Sequence, residues 1–191
     1  YFETGWDGWL DGGVDAFRNT RAAYSYEGMG SIRIRDNTNN SVMTTEQSYD
    51  LSSYNNVEVD FYFYPRGMEI DEDFWLQFYD GSSWITVASW VRGVDFNNNN
   101  FYNGTVVINS ADYDFNANNL FRFRCDASEN NDRIYIDQVI ITANSLSVSG
   151  GTTLASAPKT EHQGIPKFID ANTKRSIDLG WGFLVYPNPA Q

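Results

Sequence analysis

One cysteine and one histidine are all that this chain of 191 residues contains of the side chains most used for metal binding and nucleophilic chemistry. A lone Cys125 builds neither an intramolecular disulfide nor a cysteine-ligated metal site, and in the alternation Phe121, Phe123, Cys125 it reads as a small buried hydrophobe. His162 stands near Gln163, Pro166 and Lys167, outside every strand-like segment, so the sequence offers no Ser-His-Asp or Cys-His arrangement within the folded part. Lysine is scarce too, at Lys159, Lys167 and Lys174 only, and the formal net charge is -12 with a pI near 4.3. Such a surface repels phosphate backbones and anionic membranes, which argues against a nucleic-acid partner. No apolar run approaches the ~18 residues of a spanning helix, so membrane insertion is not expected. No segment at Tyr1 resembles a leader, as in a chain already processed for export.

What the sequence has in abundance is aromatic side chains, 16% of all residues, with 6 Trp, 12 Tyr and 13 Phe. Alternation of period two, rich in β-branched and aromatic residues, recurs over 31–36, 57–64, 73–79, 84–91, 105–108, 120–125 and 134–141. Between these segments lie Asn, Asp, Gly and Ser clusters such as 36–40, 80–83 and 97–100. Nothing repeats at helical spacing. The expected fold is therefore all-β: two antiparallel sheets packed as a sandwich or jelly roll. Within 57–64, Val57, Val59, Phe61 and Phe63 mark a core face, and Glu58, Asp60, Tyr62 and Tyr64 mark an outer face that is polar and aromatic. The alternating pairs Arg33, Arg35 and Arg122, Arg124 are expected to meet Glu58 and Asp60 across a sheet.

The composition divides the chain into a sandwich over 1–142, a Gly/Ser/Thr/Pro linker over 143–176 and a tail over 177–191. In the tail, Ile177, Leu179, Trp181, Phe183 and Val185 share one face of an extended segment. A lone strand with this apolar face is unstable in water and is expected to add to a sheet edge, its own or that of a neighbouring copy.

Phe2-Glu3, the approach Gly28-Met29-Gly30-Ser31-Ile32-Arg33-Ile34 and the closing Ile134-Tyr135-Ile136-Asp137-Gln138-Val139 together resemble MAM-like and carbohydrate-binding-module-like jelly-roll domains of secreted proteins. The resemblance spans roughly 1–142, without the disulfides of animal MAM domains. It implies that the first and last strands are neighbours and that Glu3 and Asp137 meet at a structural calcium ion, whose preference for hard oxygen ligands suits two carboxylates. The ending Val185-Tyr186-Pro187-Asn188-Pro189-Ala190 resembles the start of the C-terminal sorting domain of type IX secretion. That implies export to the surface or surroundings of a Gram-negative bacterium.

One segment imitates catalytic chemistry. Glu69-Ile70-Asp71-Glu72-Asp73 is similar to the Glu-x-Asp-x-Glu strand of laminarinase-like sandwich glycosidases, whose two carboxyl groups must lie ~5 Å apart for retention. The final position is Asp73, followed by Phe74, so the motif lacks its last glutamate and reads instead as an acidic loop or a cation site using Asp71 and Asp73. No catalytic residues are assigned, and two kinds of binding remain. In one, the strand 177–185 adds to the next copy and links subunits into a surface fibre. In the other, Trp6, Trp9, Tyr62, Tyr64, Trp84 and Trp90 supply rings for a polysaccharide, alone or as an accessory domain of a secreted hydrolase. The fibre is placed first by a small margin. The segment around Gly5, Gly8, Gly12 and Gly13 reads as a turn-rich loop displaying Trp6 and Trp9.

Overall fold

A computed structural model describes residues 1–145 and the backbone of Lys167–Ile169. Strong alternation of large apolar and polar side chains produces strands β1 (Trp9–Asp11), β2 (Ala16–Asn19), β3 (Ser31–Arg35), β4 (Val42–Thr45), β5 (Asn56–Arg66), β6 (Asp73–Tyr79), β7 (Trp84–Val91), β8 (Phe101–Asn109), β9 (Leu120–Asp126), β10 (Arg133–Asn144) and β11 (Lys167–Ile169). They form a five-stranded sheet in the order β1-β4-β9-β6-β7 and a six-stranded sheet in the order β11-β8-β5-β10-β3-β2. All pairings within the sheets are antiparallel. No α-helix occurs among the described residues; Ala22–Tyr24 forms a single 3-10 turn. The expected two-sheet jelly roll is the fold observed.

Each of the seven expected strands is present, two of them, β6 and β7, with the expected bounds. Three short strands escaped the reading. β1, β2 and β4 each contribute chiefly one inward side chain, Trp9, Ala16 or Met43, too few to show a period. β1 lies inside the segment read as a loop. At the other end β10 runs to Asn144, beyond the expected boundary at 142, and β11 pairs with Phe101, Tyr102 and Asn103 of β8 from within the span read as linker. The tail strand 177–185 and the sorting-like motif lie outside the described residues.

The core is the layer between the sheets, and its centre is aromatic. Phe61 and Phe63 of β5 meet Phe123 of β9, Phe74 of β6 and Trp90 of β7, with centroids 4.6 Å apart for Phe61 and Phe123 and 4.8 Å for Phe63 and Phe74. Edge-to-face packing of this kind adds about 0.5–1.5 kcal/mol per pair beyond area burial. Gly104 of β8 lies opposite Phe61 in the register, and a Cβ there would stand 2.6 Å from the Phe61 ring. The glycine makes room for the ring.

The expected Arg-to-carboxylate pairing across a sheet does not form, because the two arginine pairs sit on strands that do not neighbour the acidic face. Glu58 and Asp60 on β5 face Val107 and Thr105 of β8 on one side and Thr142 and Ile140 of β10 on the other. Asp60 accepts hydrogen bonds from the side chains of Asn103 and Thr105, the latter at 2.7 Å. Arg33 and Arg35 lie on β3, between β10 and β2, where Arg35 pairs with Asp15 at 3.2 Å. Arg122 and Arg124 belong to the other sheet.

Replacing Gly104 with alanine is expected to destabilise the fold by about 1–3 kcal/mol, the cost of overpacking a filled core. Equilibrium denaturant unfolding followed by tryptophan fluorescence checks this.

Candidate ligand-binding face

The residues that alternate with the core of β6 and β9 point away from it, and on the five-stranded sheet they form an ordered surface. Phe121, Phe123 and Cys125 of β9 and Phe74, Leu76 and Phe78 of β6 are fully buried. Arg122, Arg124, Trp75 and Tyr79 between them are only partly buried. The register sets their neighbours. Thr44, Arg122, Gln77 and Thr86 lie in one row across β4, β9, β6 and β7, and Val42, Arg124, Trp75 and Ser89 lie in the next. Tyr79 and Trp84 pair at one end, Asp126 and Asp73 at the other. A register shift between Leu76 and Gln77 keeps both rows aligned across β6 and β7.

These side chains hold one another in place. The Arg122 guanidinium lies over the Trp84 ring, 4.1 Å from its centroid, and donates from Nε to Gln77 Oε1 at 2.6 Å. Gln77 Nε2 donates to Thr86 Oγ1 at 2.9 Å. The Trp84 and Tyr79 rings are tilted against each other at 5.3 Å. In the next row Trp75 Nε1 donates to Asp73 Oδ2 at 2.7 Å, and Arg124 stands 5.5 Å from the Trp75 ring centroid. Arg124 reaches Asn37 Oδ1 through Nη2 at 3.3 Å, while its Nε is buried without a hydrogen-bond partner. Burial, then the neighbouring Arg124 charge, lowers the pKa of Arg122. Burial also raises that of Asp73, and the carboxylate of Asp126 adds to the effect. The arrangement joins flat aromatic rings to orientated donors and acceptors on a rigid sheet.

Of the six rings expected to bind sugar, only Trp84 belongs to this face. Trp9 and Trp90 are core residues, 8% and 2% exposed, because their strands turn them inward against Phe123 and Phe74. Trp6 packs half-buried against the same core. Tyr62 and Tyr64 do point outward from β5, as expected, but on the six-stranded sheet the chain covers them itself. Tyr26 stacks on Tyr62 with centroids 3.7 Å apart and planes 7° apart. Tyr24 stacks on Tyr135 at 4.5 Å and leans on Tyr64 at 5.5 Å. Each ring is thereby partly covered by another aromatic side chain. Trp75 was missed, although its alternation with Phe74 and Leu76 was the available signal.

Glu3 and Asp137 come to one loop. Glu3 Oε1 accepts the amide hydrogens of Met29 and Gly30 at 3.0 and 2.7 Å, and Asp137 Oδ2 accepts that of Glu27 at 3.0 Å. Asp137 is buried, and burial raises its pKa. Beside it Gln138, at a positive φ of 49° in the bulge of β10, donates from Nε2 to the Tyr1 hydroxyl at 3.0 Å. Its Oε1 is buried without a hydrogen-bond partner. Among the described residues no three His, Cys, Asp or Glu side chains gather at one point. That includes the acidic run 69–73. Glu72 there accepts the amide hydrogens of Glu69 and Ser128, at 2.7 and 2.6 Å, and thus ties two loops together. Asp71 sits in a turn at a φ of 70°, so the run is not a single catalytic strand.

No protein-family model and no curated protein matches the chain. Solved structures do. The N-terminal endo-1,4-β-D-xylanase 10B of Clostridium thermocellum, solved as its CBM22-1 and GH10 modules with xylohexaose, is similar at a TM-score of 0.56 and 15% identity. The match covers 82% of this chain and 29% of that one. The CBM22-1 xylan-binding domain of Paenibacillus barcinonensis Xyn10C gives a TM-score of 0.47 at 14% identity, covering 77% of this chain and 91% of that one. A family 16 carbohydrate-binding module gives 0.46 at 16% identity, covering 73% and 94%. The likeness is one of fold: this chain has the jelly-roll sandwich found in carbohydrate-binding modules.

Core and surface tryptophans are expected to separate on mutation. Trp90→Ala should cost about 3–5 kcal/mol of stability; Trp84→Ala, which removes a partly buried cation–π contact with Arg122, about 2 kcal/mol or less. Urea titrations of the two variants measure the difference.

Proposed function

We propose that this chain is a non-catalytic carbohydrate-binding module of an exported protein, and that it takes a polysaccharide across the outer face of the five-stranded sheet. The observation that carries the reading is the interleaving of Trp75, Tyr79 and Trp84 with Arg122, Gln77 and Thr86. A sugar ring presents an apolar C–H surface edged by hydroxyls. Aromatic rings suit the first, and amide, hydroxyl and guanidinium groups suit the second. The shared fold of a xylanase-attached module supports the reading, and so does the lack of any histidine among the described residues. Placement outside the cell, at a Gram-negative surface, rests on the sorting-like motif.

Glycan binding now stands ahead of fibre assembly, reversing the order drawn from the sequence. The fibre rests on Ile177, Leu179, Trp181, Phe183 and Val185, which lie outside the described residues. The binding face rests on side chains within the described residues. Binding of the full chain to a panel of soluble polysaccharides, measured by affinity electrophoresis and calorimetry, tests the proposal. Trp75→Ala and Trp84→Ala should each weaken binding about tenfold or more, a loss of about 1.4 kcal/mol or more. Tyr62→Ala, on the opposite sheet, should bind as the parent does. Equal binding by all four proteins would remove this face from consideration.

Glu3 and Asp137 form part of this proposal as a structural calcium site. All the available donors there are hard oxygens, and the unpartnered Gln138 Oε1 adds a third. Calcium is expected to raise the melting temperature of the full chain relative to chelator, and Asp137→Asn to abolish the shift. An unchanged melting temperature in the parent protein would rule the ion out.

A further inference from the structure

We infer that the polysaccharide is anionic, its carboxylate or sulfate ester groups held by the guanidinium groups of Arg122 and Arg124. The inference rests on the glycan reading of this face and names the class of sugar.

Its basis is a pair of like charges kept together without a counterion. Arg122 and Arg124 occupy alternate positions of β9, about 7 Å apart along the strand. Their cross-strand neighbours are all neutral: Thr44 and Gln77 for Arg122, Val42 and Trp75 for Arg124. The only ion pair among the described residues is Arg35 with Asp15. The chain has 25 acidic and 13 basic side chains, yet among the described residues neither arginine forms an ion pair with a carboxylate. The acids of this face, Asp73 and Asp126, are opposite each other at its end, and Asp73 is engaged by Trp75.

The hydrogen bonds that the two arginines do make go to neutral oxygens and leave much of each fork unused. Arg122 donates only its Nε hydrogen among the described residues, to Gln77. Arg124 donates one Nη2 hydrogen to Asn37. Each guanidinium thus keeps terminal N–H groups for a ligand, and the planar fork matches the paired oxygens of a carboxylate or a sulfate ester. Partial burial, together with the like charge of Arg124, disfavours the Arg122 cation until an anion arrives. The Trp84 ring beneath Arg122 also holds that guanidinium in position.

The test measures binding of the full chain to polygalacturonate, dextran sulfate, xylan and a neutral β-glucan at two salt concentrations. Polygalacturonate or dextran sulfate should bind about tenfold or more tightly than the neutral chains, with affinity falling as salt rises. Which of the two binds identifies the anionic group. Arg122→Gln and Arg124→Gln should each weaken anionic binding about tenfold, with a loss that shrinks as salt rises. Arg124→Lys should retain more affinity than Arg124→Gln, and a melting curve for each variant confirms that it folds. Neutral chains binding as well as anionic ones, indifferent to the arginine variants, would overturn the inference and leave the glycan reading standing. No binding to any of the four would overturn both. Anionic binding that Arg122→Gln and Arg124→Gln leave intact would place the anion elsewhere and also overturn it.

Discussion

The contact between Phe61 and Phe123 is where the two sheets meet at the centre of the sandwich, and the remaining structure is arranged around it. Phe61 sits in the longest central run of inward residues, Val57, Val59, Phe61 and Phe63, and Phe123 lies midway along β9. Because both side chains are fully buried, the register of β5 and β9 has little freedom: a slip by one residue would turn charged side chains into the core. Gly104 shows how closely the neighbouring strand is fitted to that ring.

The same constraint builds the candidate binding face. Turning Phe121 and Phe123 inward obliges Arg122 and Arg124 to point outward, and turning Phe74 and Leu76 inward does the same for Trp75 and Gln77. Core and candidate site are the two sides of one alternation. The face is accordingly carried on the rigid middle of a sheet, where hydrogen bonds such as Arg122 to Gln77 are set by the register.

The opposite sheet has an outer face just as aromatic, yet it is closed. The chain between β2 and β3 crosses it and lays Tyr24 and Tyr26 on Tyr135, Tyr64 and Tyr62. Further along, this crossing segment is fastened by Glu3 and Asp137 through the amides of Glu27, Met29 and Gly30. The residues singled out as calcium ligands therefore already have work in the fold: they secure the segment that covers one face while the other is left open. An ion at that corner would strengthen the same fastening.

By itself the sequence determined the fold class, the seven longer strands and which side of β5 faces the core, because a period of two over four or more residues leaves one choice of buried face. Only the tertiary structure decided which side chain lies against each outward ring. Trp84 and Tyr62 both stand on the outward side of a strand, and nothing local distinguishes them. What separates them is the partner each ring takes: Tyr26, remote in sequence, stacks on Tyr62, whereas Arg122 lies over Trp84. Trp9 was hidden for a related reason: β1 is three residues long, too short to carry a period, and its inward side appears only once β4 lies beside it. The arginines failed the sequence reading because alternation assigns a residue to a face but not to a sheet, and the order of strands, set by packing across the core, placed them far from Glu58 and Asp60.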